Sequence, residues 1–246
     1  MRSPTLSLLL FFLHCASPEI SHSSPKPASI TPSTTPTARI QYQTSLGALA
    51  QKRGELRKKY QSGTTEERAA ILVQTKTTVF AALREQVFPA WLGTPWDYSG
   101  TTQTPGEGKI ACGYFVSTTL RDAGFQVERI KMAQQASENI IRTLSPASLI
   151  WRFRKTGVLP VLEKVKERGE GLYLVGLDNH VGYLLNDAGN VSFCHSSYLE
   201  PGVVTCEPAE TAQALRSNYY VLGELLNDEL LLRWLMQEKI KTTTGS

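Results

Sequence analysis

The chain has 246 residues, 41% of them hydrophobic and 20% charged, a composition that excludes a wholly disordered or membrane-embedded protein and suits one domain of catalytic size. Its formal net charge of +4 is spread over several segments and forms no basic stripe interleaved with aromatics, so nucleic acid is not an expected partner.

At the N-terminus Arg2 precedes an apolar run from Leu6 to Leu13 that is too short to span a bilayer, which predicts a signal peptide over residues 1–20 and export to the periplasm or cell envelope. Cys15 follows the run and invites a lipoprotein reading, in which a lipid would tether the chain to a membrane, although His14 stands where such signals carry a small residue. Residues 21–40 are rich in Ser, Thr and Pro and are expected to form a disordered linker, because they offer too little apolar surface to offset ordering entropy. The remainder, 41–246, is expected to be one domain with a helical N-terminal extension over 41–90.

Within that extension Leu46, Leu49, Ala50, Leu56 and Tyr60 share a helix face opposite basic residues. A second helix begins at a capping box, Thr64 to Glu67, and carries Leu72, Thr75, Val79 and Leu83 at helical spacing as far as Pro89. From Trp91 to Gly108 the chain changes character: Trp91, Trp96 and Tyr98 lie among Gly93, Pro95, Gly100, Pro105 and Gly106. This aromatic loop suits either a groove lining or packing beneath a loop. It leads into Cys112, which opens a helix with Phe115, Val116, Thr119, Leu120 and Ala123 on its apolar positions before Gly124. Free amides and the helix dipole favour a thiolate at such a position and also suit an oxyanion.

Two of the four histidines, His180 and His195, fall in the most strand-like region. Leu172–Leu177, His180–Leu185 and Val191–His195 read as strands, with Asn186, Asp187 and Gly189 supplying turn chemistry. Pairing Leu185 with Asn190 across a four-residue loop would place His180 opposite His195. Val203–Cys206 and Tyr219–Leu222 read as further strands around a helix near 210–216, and Asn227 is expected to cap a last amphipathic helix. Helices first and an antiparallel sheet of about five strands afterwards give an α+β fold.

These residues resemble the NlpC-type peptidases, exported papain-like enzymes of the cell wall. The matching stretches are Gly93-Thr94-Pro95-Trp96, Ala111-Cys112-Gly113-Tyr114, His180-Val181-Gly182-Tyr183 and Phe193-Cys194-His195-Ser196, which together cover residues about 91 to 200. The resemblance implies a papain-like fold with the nucleophile helix packed on the sheet, Cys112 as nucleophile, His180 as base and His195 as the residue that orients the base. It also implies an oxyanion or substrate groove formed by Tyr98, Trp96 and Gly113, with Trp96 in the slot of the family's tyrosine and Tyr98, two residues later, as the candidate for its role. The family usually carries Asp before the cysteine and Ser-Gly after it, where this chain has Ala111 and Gly113-Tyr114, and the segment between nucleophile and base is longer here.

The expected chemistry is amide hydrolysis through an acyl-enzyme, with peptidoglycan stem peptides as substrate and neither metal nor cofactor required. The alternatives are a cysteine peptidase acting on protein substrates and a non-catalytic exported binding module on the same fold. A zinc site would use Cys112, His180 and His195, with Cys194 as an optional fourth ligand, yet Cys194 points to the opposite strand face from His195. Cys194 and Cys206 are open to two readings, a disulfide or a pair of buried thiols.

Overall fold

A computed structural model of the chain describes residues 35–245. The expected signal peptide, the lipid site at Cys15 and most of the linker lie outside these residues. The expected linker is nevertheless too long at its C-terminal end. Helix α1 (Pro36–Ser62) begins inside it, because the Thr35 hydroxyl accepts the Ala38 amide and Pro36 occupies a first-turn position where no N–H is needed. Among the described residues no helix is long and apolar enough to cross a membrane.

Helix α2 (Thr65–Ala82) starts at the capping box read from the sequence: the Thr64 hydroxyl accepts the Glu67 amide, and the Glu67 carboxylate accepts the Thr64 amide at 2.7 Å. The helix widens into a π turn over Leu83–Val87 and continues as α3 (Phe88–Trp91). Pro89 has no N–H to offer the preceding turn, which accounts for a local change of pitch there. The buried face of α1 and α2 (Tyr42, Leu49, Leu56, Ile71, Thr75, Val79) packs on the rest of the molecule; Leu46, Tyr60 and Leu72 are only partly buried and Ala50 is exposed, so the face is turned slightly toward Tyr42 and Ile71 from the expected one.

Helix α4 (Cys112–Asp122) follows the aromatic loop. The sequence reading has no separate elements between it and the sheet, yet the chain there forms a short strand β1 (Gln126–Val127), α5 (Arg129–Ala133), α6 (Ser137–Leu144), β2 (Ile150–Arg154) and α7 (Leu159–Arg168). Then come β3 (Gly171–Gly176), β4 (Val181–Asp187), β5 (Asn190–Ser196), β6 (Val204–Pro208), β7 (Tyr219–Glu224), α8 (Asp228–Met236) and β8 (Lys239–Ile240). The helix expected near 210–216 is only a 3₁₀ turn, Gln213–Leu215. Asn227 does cap α8, its side-chain oxygen accepting the Leu230 amide at 3.0 Å.

The fold is therefore α+β, and its main sheet has six strands in the order β2-β7-β3-β4-β5-β6, every neighbouring pair antiparallel. β1 and β8 form a separate parallel pair. Alternation along each strand divides the core in two. Leu172, Leu174, Val181, Tyr183 and Cys194 face the helices α1 to α4, α6 and α8, whereas Tyr173, Val175, Leu184, Phe193 and Leu222 face α7 and the segment after β6. With both faces covered, β3 is buried at every position.

The aromatic centre of the first core positions α4. Phe88, Trp91, Phe115 and Tyr183 meet with ring centroids 4.9–6.4 Å apart, and each buried ring contributes roughly 1.5–3 kcal/mol. The Tyr183 hydroxyl also shares a 2.8 Å hydrogen bond with Thr119 and reaches the Val116 carbonyl at 3.0 Å. These bonds fix the height of α4 on β4, and with it the position of Cys112 along the sheet.

Candidate active site

Cys112 is the first residue of α4 and has no capping side chain ahead of it, so the amides of the first turn are free of helix partners. Two features hold this end in place. Ser196, next to His195, donates its hydroxyl to the Ile110 carbonyl at 2.7 Å, which ties the end of β5 to the residues leading into the nucleophile. Gly113 lies so close to the Ala133 carbonyl that a Cβ there would be 2.4 Å from its oxygen; only glycine fits against α5.

His180 closes the tight β3–β4 turn, where the Leu177 amide donates to the His180 carbonyl at 2.8 Å. The β4–β5 connection is also tighter than expected. Asp187 pairs with Asn190 across the two residues Ala188 and Gly189, both at positive φ, and the Asn186 side chain accepts the Gly189 amide at 2.9 Å. Leu185 consequently pairs with Ser192 and not with Asn190. His180 is thus diagonal to His195, not opposite it. The shift is even, so both rings stay on one sheet face. Gly182 lies between them, and a Cβ on it would stand 2.8 Å from the His195 Cβ and 2.7 Å from the Phe193 ring. The missing side chain is what lets the two imidazoles meet.

The meeting is direct. His180 Nε2 and His195 Nδ1 share a hydrogen bond of 2.8 Å, and His195 Nε2 reaches Glu207 Oε1 at 3.1 Å. Phe193 stacks on His195 with centroids 4.0 Å apart, and Tyr198 meets His180 edge-on at 5.2 Å. His180 Nδ1 has no hydrogen-bond partner among the described residues and is not sealed off as a buried atom.

Cys112 and His180 line the same cleft, of about 220 Å³. Gly113, Val181, residues of α5 and α6 and the Asp178-Asn179 turn also line it. A larger hollow of about 420 Å³ between α1 and residues 103–107 contains neither Cys112 nor a histidine; size alone does not mark the chemistry.

The electrostatics correct one expectation. Burial pushes the Cys112 thiol above its ordinary range, and this outweighs the amides of Val181, Gly113 and Cys112 itself, which favour the thiolate. Burial, and secondarily the neighbouring His195, holds His180 well below the usual imidazole range. His195 is also lowered by burial, against the opposing pull of Glu207. The resting site holds a thiol and two neutral imidazoles, with no hydrogen bond from the sulfur to either ring; the rings pack against Phe193, on the sheet face opposite the one that carries α4.

Of the residues expected in the groove, Gly113 lines the cleft, whereas Trp96 and Tyr98 do not. Tyr98 is 86% exposed and makes no side-chain hydrogen bond among the described residues, which removes it from the oxyanion role. Trp96 packs toward Tyr198, at 6.3 Å between rings, and Trp91 is wholly buried, its indole N–H donating to the Tyr42 hydroxyl. Cys194 and Cys206 are directly opposed on β5 and β6 and joined as a disulfide, so Cys194 is withdrawn from the four-residue zinc set. Among the described residues no group of three or more His, Cys, Asp or Glu is placed to hold a metal ion.

The sequence reading missed Glu207 because its strand stopped at Cys206, whereas β6 runs to Pro208. The signal was present: Thr205 pairs with His195, and Glu207 is the next residue on the same face. Comparison with protein-family models, with curated proteins and with solved structures gives no match.

Proposed function

We propose that the protein is a cysteine hydrolase of the NlpC papain-like type that cleaves an amide bond, with peptidoglycan stem peptides as its substrate class. The observation that carries this reading is the cleft shared by Cys112, at a helix start, and His180, whose Nε2 is bonded to His195 while Nδ1 is left without a partner. A general base needs such a free ring nitrogen and a neighbour that fixes the ring.

In this reading the Cys112 thiol attacks the carbonyl carbon of a bound amide as His180 takes its proton, and the oxyanion is held by amides of the first turn of α4. The tetrahedral adduct collapses as His180 returns the proton to the departing amine, leaving an acyl group on the sulfur. Water, deprotonated by the same imidazole, then releases the acid and restores the thiol. A resting site of neutral groups suits this order, in which proton transfer accompanies attack. Exclusion of water by substrate strengthens each of these interactions.

The substrate class rests on the resemblance of residues 91–200 and on the expected export signal. A second reading, a non-catalytic exported binding module, is favoured by one observation: no hydrogen bond joins Cys112 to His180. Iodoacetamide labelling between about pH 5 and 9 separates the two readings. Labelling of Cys112 that is at least about tenfold faster than in a His180→Ala variant near pH 7 supports the hydrolase. Equally slow labelling in both favours the module.

A further inference from the structure

We propose that Glu207 is a positioning residue that acts through His195 to set the tautomer of His180. The proposal rests on the hydrolase reading for its consequence, though the tautomer itself is a property of the folded protein.

A carboxylate only accepts hydrogen bonds, and a neutral imidazole has one N–H and one bare nitrogen. Glu207 Oε1 lies 3.1 Å from His195 Nε2, so that nitrogen carries the hydrogen and His195 Nδ1 is bare. His195 Nδ1 lies 2.8 Å from His180 Nε2, so His180 Nε2 carries its hydrogen and donates. His180 Nδ1 is then the bare nitrogen, and it is the one without a protein partner, on the residue that lines the Cys112 cleft. One carboxylate, acting through His195, thus determines that the free ring nitrogen of His180 can receive a proton.

The fold supports the chain at each link. His195 is fully buried and stacked on Phe193, so its ring cannot turn to exchange the two nitrogens without breaking that stack. The disulfide between Cys194 and Cys206 joins the residues that immediately precede His195 and Glu207. The Glu207 carboxylate makes no other hydrogen bond among the described residues, and its side chain is 35% exposed. It can be changed without opening the core.

The test uses the full chain with ¹⁵N-labelled histidine, and reads tautomers by NMR alongside Cys112 alkylation by iodoacetamide. Glu207→Lys presents only donors to His195 Nε2, so both imidazoles should switch and His180 should carry its hydrogen on Nδ1. Alkylation near pH 7 should fall by on the order of 10²-fold with the bare nitrogen lost. Glu207→Gln keeps an acceptor oxygen and should retain both the tautomers and most of the rate. Unchanged tautomers in Glu207→Lys overturn the proposal, as does equal loss of rate in both variants with no change of tautomer. A tautomer switch in a protein whose thiol is unreactive even before substitution would uphold the role of Glu207 and sink the hydrolase reading instead.

Discussion

His180 Nε2 and His195 Nδ1 lie 2.8 Å apart across the β4–β5 hairpin, though the two residues are diagonal in register. Diagonal neighbours stand farther apart than directly opposed ones and touch only through aromatic or long side chains. They meet here because Gly182 leaves the space between them empty, and this has a direct consequence for mutation. Gly182→Ala should push His195 and Phe193 apart and break the imidazole pair. Alkylation of Cys112 should drop by at least about tenfold near pH 7 while the chain still folds, at a cost of roughly 1–3 kcal/mol for overpacking. Retention of the wild-type rate would show that the pair is not needed.

The buried imidazoles also predict the acid limit of stability. Both are held below the ordinary histidine range, chiefly by burial, so the unfolded chain binds more protons than the folded one as pH falls below about 6.5. Their contribution is fully present above that value and is lost progressively as pH drops toward the folded-state values. Each histidine contributes a slope of at most about 1.4 kcal/mol per pH unit in that window. Urea unfolding at a series of pH values checks this: replacing both histidines with Asn should flatten the curve below pH 6.5, and an unaltered slope would mean that other groups carry it.

The hairpin shows what was legible in the sequence and what was not. Short apolar runs bounded by turn residues place β3, β4 and β5, and the cysteine-headed helix stands where its spacing predicts. The register could not be read, because the turn uses Ala188 at φ 49 beside Gly189, a conformation alanine seldom adopts, and Asn186 and Asp187 belong to the strand instead of the loop. The even slip kept His180 and His195 on one face, which is why the pair survived the error. The segment from Arg129 to Arg168 was opaque for a different reason: α5 has five residues and α6 eight, too few turns for a periodic signal. Glu207 was lost to a strand end placed two residues early, at Cys206 instead of Pro208.

The cross-strand disulfide makes a separate prediction about stability. Cys194 and Cys206 close a loop with a sequence separation of 12, and replacing both with Ala should lower unfolding free energy by about 2–3 kcal/mol. The same loss should appear in the unsubstituted protein under reducing conditions, measured by denaturant midpoint. If reduction leaves the midpoint unmoved, the bridge does not constrain the unfolded chain.

Gly113 has a comparable steric role at the cleft wall. A Cβ would stand 2.4 Å from the Ala133 carbonyl oxygen, and backbone cannot yield as a flexible side chain can. Gly113→Ala should displace α5 from the start of α4, lowering stability by roughly 1–3 kcal/mol and reducing Cys112 reactivity beyond what that loss explains. Thermal unfolding together with alkylation kinetics would separate the two effects, and a variant as stable and reactive as wild type would show that α5 shifts freely.

The most direct test of the account is amide cleavage itself. Peptidoglycan stem peptides incubated with the protein should release a new amine, detectable by fluorescent labelling and mass spectrometry, and release should be abolished in Cys112→Ala and reduced by about 10² or more in His180→Ala. No amine release by the wild-type protein, or release that persists in Cys112→Ala, would contradict the account.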